Sequence, residues 1–252
     1  MVSSSRIKVS AIIFDQGNTL LLDPFARVMD LQEEHFVEIC QNVGLSVNGQ
    51  IIKDEWTKSN KEIDYPYISH FYQEEPILYH ALKNLYVPEA AVPHLAFELL
   101  QEYRRGLREV ISSDPRTLEV KNTLEELIQM NKKLGIFSND RTSGLDFVLN
   151  SMNVRVSFQY IRTSESIGAE KPDSEVFKHI MRNIKVPPHL VAYVGDDPIN
   201  DIDAAKKQGL QTIQYLVDVD KYNESWRDYS AMPEHKPDAT ISRFAEILDV
   251  IE

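Results

Sequence analysis

The chain has 252 residues, 42% of them hydrophobic and 26% charged, with a formal net charge of −12. That composition is globular, and the length suits one domain or a core with an inserted lobe. The acidity argues against binding to nucleic-acid backbones, although one positive site inside a negative field would still accept an anionic metabolite. Cys40 is the only cysteine, so no disulfide framework can form within the chain, which fits a reducing compartment. No apolar run approaches the length of a membrane span, and the serine-rich start lacks the apolar stretch of a signal peptide. The expectation is a cytoplasmic protein that binds neither nucleic acid nor membrane.

Arg6 to Phe14 reads as a first strand, apolar enough to be buried on both faces of a parallel sheet. It ends in Asp15, followed by Gly17 and Asn18, which are turn residues. From Asp23 to about Arg108 the apolar spacing is helical. Val28, Leu31, Phe36, Ile39, Cys40 and Val43 form one stretch, with Gly44 as its stop. Ile51, Ile52, Trp56 and Ile63 form another. A third region, Tyr67 to Tyr86, is rich in Phe, Tyr and Leu, and Pro88 opens a fourth that runs through Leu95, Leu99, Leu100 and Tyr103. Trp56, Tyr65, Tyr67, Phe71 and Tyr72 are expected to pack inside this helical region.

After Asp114-Pro115, helix and strand alternate. Helices are expected over 118–132, 143–152, 174–184 and 198–208, with Gly209 stopping the last of these. Strands are expected over 134–137, 158–162, 190–194, 210–215 and 239–241, followed by a final helix over 244–251. Such alternation implies a parallel sheet with right-handed crossovers. Residues 218–237 are polar and read as loop. The expected fold is α/β, a Rossmann-like parallel-sheet core spanning residues 1–22 and 108–252, with an all-helical cap inserted at 23–107.

Asp15, Ser138 and Asp196 each follow an apolar strand, so a parallel sheet brings them to one edge, where open α/β sheets bind ligands. Lys171 can reach the same edge on a longer loop. Carboxylates there would suit Mg²⁺, a hard cation that takes oxygen ligands, while a lysine and a hydroxyl suit phosphoryl oxygens.

These stretches resemble the motifs of the haloacid dehalogenase superfamily, most of whose members are Mg²⁺-dependent phosphatases. The run into Asp15 with Thr19 and Leu20 is similar to the first motif, a strand ending in Asp-x-Asp-x-Thr. Ile136-Phe137-Ser138-Asn139 is similar to the second, and Lys171-Pro172 with Phe177 to the third. Val194-Gly195-Asp196-Asp197-Pro198-Ile199-Asn200-Asp201 with Ala204 and Gly209 is similar to the fourth, and the helical insertion matches the family's small cap. The resemblance implies that Asp15 is a nucleophile that accepts a phosphoryl group. It implies metal ligands at Asp15, Asp196 and Asp201 with the carbonyl of Gly17, and a phosphate cradle of Asn18, Thr19, Ser138, Asn139 and Lys171. The substrate it implies is a small phosphorylated metabolite, handled by a monomer or homodimer.

One position departs from the pattern. The second aspartate of the first motif, the family's general acid–base, is Gly17 here. Haloacid dehalogenases also lack it, but they need no metal, and Asp196 with Asp201 argues against that chemistry. Phosphonoacetaldehyde hydrolases carry a small residue there and use a cap lysine, for which Lys53, Lys58 and Lys61 are candidates. A low-activity or purely binding member of the superfamily is the remaining alternative.

Overall fold

A computed structural model describes residues 6–63, 74–217 and 232–252. The chain divides into two compact units, one made of Met1–Asp23 with Asp114–Glu252, the other of Pro24–Ser113.

The first unit is built on six parallel strands: β1 Ala11–Phe14, β2 Lys133–Ser138, β3 Tyr160–Thr163, β4 Val191–Gly195, β5 Gln211–Tyr215 and β6 Ala239–Ile241, in the order β3-β2-β1-β4-β5-β6. β1 is central and entirely apolar, because both its faces are covered. On one face Ile13 joins Phe137, Tyr193, Val176, Phe177 and Ile180 in a buried cluster. On the other, Phe14 packs against Phe244 and Phe158 at ring-centroid distances of 5.5 and 6.2 Å. Each such fully buried side chain contributes about 1.5–3 kcal/mol. The central strand is shorter than the apolar run promised. Ile7 makes only an isolated bridge to Ile251, and Ala11 begins the ladder.

The helices of this unit are α6 Pro115–Gln129, α7 Thr142–Ser151, α8 Ser164–Ile167, α9 Ser174–Ile184, α10 Ala204–Lys207 and α11 Ile247–Val250. Asp114 caps α6 by accepting the Arg116 N–H, and Asp173 caps α9 by accepting the Glu175 N–H. Two expected helices differ in detail. The stretch after β4 opens with a π-helical turn, Pro198–Asp203, because the Asp197 carbonyl accepts from both Asp201 and Ile202. The final helix starts as a 3₁₀ turn, Phe244–Glu246, before α11. Gly209 stops α10 at φ +80°, a backbone conformation that disfavours any Cβ.

The second unit is helical throughout its described residues: α1 Phe25–Leu31, α2 Glu33–Asn42, α3 Gly49–Glu62, α4 Glu74–Asn84 and α5 Val92–Ser113. The stretch read as one helix from Val28 is broken at Gln32, which ends α1 and begins α2. Pro88 lies in a turn before α5 rather than inside it, and α5 continues past Arg108 to Ser113. Trp56 anchors the interior of this unit against Phe25, Phe36 and Tyr103. Tyr65, Tyr67, Phe71 and Tyr72 lie outside the described residues.

Candidate active site

In the parallel register, Phe14 pairs with Ile136 on one side and Val194 on the other. Asp15, Ser138 and Asp196 therefore leave neighbouring strands at the same edge. The carboxylates of Asp15, Asp196 and Asp201 are buried, with one oxygen of each lying within 4.8 Å of the others. The π-helical turn returns Asp201 toward the strand end, where the Asp197 N–H donates to its Oδ2 at 3.1 Å.

That approach needs Gly195. A Cβ there would stand 2.6 Å from the Cβ of Asp201 and closer still to its carboxylate. Asp197 holds the same turn by accepting from the N–H groups of Ile199 and Asn200, both at 2.8 Å. It acts as a cap, and Asp201 is the acid that faces the site.

Lys171 is buried and donates through Nζ to Asp15 and to Asp201, each at 2.6 Å. Burial alone would pull the ammonium down, but Asp15 and Asp201 overcome it and hold the group well above the ordinary lysine range. Burial pushes the Asp201 carboxyl up; Lys171 draws it back, and the neighbouring carboxylates of Asp15, Asp196 and Asp197 add to the rise. One ammonium facing three buried carboxylates leaves an excess of negative charge. A divalent cation with oxygen ligands matches that donor set.

The expected phosphate-binding residues fall into two groups. The Thr19 hydroxyl is buried with no hydrogen-bond partner among the described residues, and Ser138 Oγ reaches only Gln16 Oε1, at 3.5 Å. Both remain available to an oxyanion. Asn139 and Asn18 do not turn outward in this way. Asn139 uses its amide on the backbone of Lys171, accepting the N–H at 2.9 Å and donating to the carbonyl at 3.0 Å. Asn18 accepts the Asp23 N–H and sits at φ +54°, closing the turn after β1. Gly17 forms an isolated bridge with Leu21 in that turn. The contact of Gln16 with Ser138, the room that Gly195 leaves for Asp201 and the shaping role of Asn139 escaped the reading of the sequence. A polar residue after a strand has one sequence signature whether it binds a ligand or the backbone.

Several further charged groups are held in ion pairs. Arg141 pairs with Glu165, and Arg105 with Glu102 and Gln32. Lys53 pairs with Asp30, and Lys58 with Glu55 and Glu62. Slight desolvation lowers Lys58, but those two glutamates more than reverse it, so the amine is held protonated rather than freed as a nucleophile. A second carboxylate and histidine group, Asp203, Glu234 and His235, already holds the Lys207 ammonium at 2.7 Å from Asp203.

A family model for haloacid dehalogenase-like hydrolases matches residues 68–215. The chain belongs to that family. Among relatives of this hydrolase, the glyceraldehyde 3-phosphate phosphatase of Methanocaldococcus jannaschii is 25% identical over 245 residues, covering 97% of each chain. The haloacid dehalogenase-like hydrolase domain-containing protein 3 of Mus musculus is 25% identical over 182 residues, covering 70% of this chain and 67% of its own. Among solved structures, a 2-haloacid dehalogenase from Pseudomonas syringae superposes with a TM-score of 0.65 at 22% identity, over 96% of this chain and 97% of that one. At that identity the likeness speaks to the fold. No helix among the described residues is long and apolar enough to cross a membrane.

Proposed function

We propose that this hydrolase removes phosphate from a small phosphorylated metabolite, through an aspartyl-phosphate on Asp15 and with Mg²⁺ as its metal. The observation that carries the reading is the buried trio Asp15, Asp196 and Asp201 with Lys171 bridging two of its members. The full-length relative named as a phosphatase supports the same class of reaction. Asp15, Asp196, Asp201 and the Gly17 carbonyl would hold the ion. When bound, Mg²⁺ would offset the repulsion between these carboxylates and an anionic substrate.

An Asp15 oxygen attacks phosphorus, the bond to the leaving oxygen breaks, and water then hydrolyses the acyl phosphate to regenerate the carboxylate. Lys171 holds Asp15 in place and stabilises charge on the transferring group, while Thr19 and Ser138 donate to its oxygens. The reading extends to a cytoplasmic monomer or homodimer.

Gly17 favours a second reading, a weak or purely binding protein. A positioned general acid–base contributes roughly 10²–10⁴-fold in rate, about 3–5 kcal/mol of barrier, and glycine offers no proton. Carbon–phosphorus cleavage through a cap lysine has less support, since Lys53 and Lys58 are engaged in ion pairs. A panel of phosphorylated metabolites assayed with and without Mg²⁺, using the native chain and Asp15→Asn, decides between these. Turnover that needs Mg²⁺ and vanishes in the variant is expected. Turnover retained in pure Asp15→Asn would overturn the mechanism. No turnover of any substrate, with Mg²⁺-independent binding of one of them, would favour the binding protein.

A further inference from the structure

The turn after β1 carries Asp15, Gly17 and Thr19, and its internal hydrogen bonds do not use the carbonyls of Thr19 and Leu20. The Gln16 carbonyl accepts from Leu20 at 3.0 Å and Leu21 at 3.1 Å, and the Leu21 carbonyl accepts from Asn18 at 2.8 Å. The carbonyls of Thr19 and Leu20 belong to fully buried residues. Both are taken by one side chain from the start of α6: Arg116 donates through Nη1 to Leu20 at 2.7 Å and through Nη2 to Thr19. The guanidinium lies over the ring of Tyr215 at the end of β5, 5.1 Å from its centroid. Asp114 accepts the backbone N–H of Arg116 and fixes where the side chain starts.

Arg116 thus joins three separate pieces of the first unit. A planar fork with parallel donors suits two successive carbonyls, and it is a geometry that an ammonium cannot copy.

We infer that Arg116 is a positioning residue for the active site, clamping the turn that presents Asp15 and the Thr19 hydroxyl through the carbonyls of Thr19 and Leu20. The catalytic half of this inference rests on the phosphatase reading; the structural half does not. The Thr19 hydroxyl is buried and unpartnered on the very residue whose carbonyl is held, so a shift of that peptide moves a group aimed at the substrate. Displacements of about 1 Å at such groups cost on the order of 10²-fold in rate.

The test compares the native chain with Arg116→Met and Arg116→Lys. It measures kcat and KM on para-nitrophenyl phosphate well below the unfolding temperature, together with amide hydrogen exchange across residues 16–22. The expected result for Arg116→Met is a kcat lower by about 10- to 100-fold with a smaller change in KM, and faster exchange confined to the turn. Arg116→Lys keeps a charge and reaches one carbonyl, so it should fold and fall between the two even if the methionine variant does not fold. Unchanged exchange in the turn overturns the clamp. A lower melting temperature with native kcat reduces Arg116 to a structural residue and also overturns the inference. If the native chain itself turns over nothing, the phosphatase reading fails, the catalytic half of the inference falls with it, and the exchange data still decide whether the clamp exists.

Discussion

The sharpest consequence of the site geometry concerns a residue with no side chain. In Gly195→Ala the new methyl would stand 2.6 Å from the Asp201 Cβ, whereas ordinary contact begins at 3.4 Å. β4 is locked between β1 and β5, so Asp201 on its turn has to retreat, by about 0.8 Å. Its 2.6 Å contact with Lys171 and the 3.1 Å bond from the Asp197 N–H would both be stretched toward breaking. A displacement of that size corresponds to a rate loss of about 10- to 100-fold, or roughly 1.4–2.7 kcal/mol of barrier. If Asp201 helps to hold Mg²⁺, the activating concentration should rise as well. The assay is kcat and a Mg²⁺ titration for the native chain, Gly195→Ala, Asp201→Asn and the double variant. Because the methyl acts through Asp201, adding it to Asp201→Asn should cost little, which makes the two changes strongly non-additive. Native kcat and native Mg²⁺ dependence in Gly195→Ala, or simple additivity with Asp201→Asn, would refute the placement of Asp201 argued above.

Chelation of divalent ions by EDTA should abolish turnover and Mg²⁺ should restore it; activity that survives exhaustive chelation would remove the metal from the reaction. With no side chain at position 17 to protonate the leaving oxygen, acyl and aryl phosphates should turn over faster than alkyl phosphates by about 10²–10⁴-fold. Equal rates would mean that another group delivers the proton. Burial pushes the Cys40 thiol up to about 11, so its reactive thiolate is scarcer by about 100-fold than in an exposed thiol of pKa 9.0. Native protein at neutral pH should therefore leave Cys40 unmodified by iodoacetamide, with labelling appearing only in denaturant; rapid labelling of the folded chain would contradict its placement in α2.

The sheet was readable because parallel strands buried on both faces are written as short apolar runs. Ile12–Phe14, Leu134–Phe137 and Val191–Val194 are such runs; Asp15 and Ser138 follow the first two directly, and Asp196 follows the third after Gly195. Capped helices such as α9, which starts at Ser174 after Asp173, were equally plain. The break between α1 and α2 was not, because Gln32 is an ordinary helix former and the apolar spacing runs through it.

At the site, Asp15 and Asp196 were legible as charged groups at strand ends and Lys171 as one on a longer loop, whereas Asp201 was named only through the resemblance to the family's fourth motif. Their neighbours were not legible. Asn18 and Asn139 read as ligand groups, yet both turn to the backbone. Arg116 and Gly195 act through space that only the assembled chain defines, one across 97 residues of sequence and the other by the side chain it lacks.

The position of β1 bears on how the chain is made. The strand that ends at Asp15 is made before the other five yet lies in the middle of the sheet, and its partners begin only at Lys133 and Val191. At about 5–20 residues per second, a ribosome needs roughly ten to forty seconds to supply both. During that time the second unit, Pro24–Ser113, is complete and free to fold by itself, while Ala11–Phe14 and Leu20–Leu22 remain apolar and unpaired on the nascent chain. The segment that carries Asp15 therefore waits longest for its neighbours, and Asp15, Asp196 and Asp201 can meet only once β4 and the turn after it have been made.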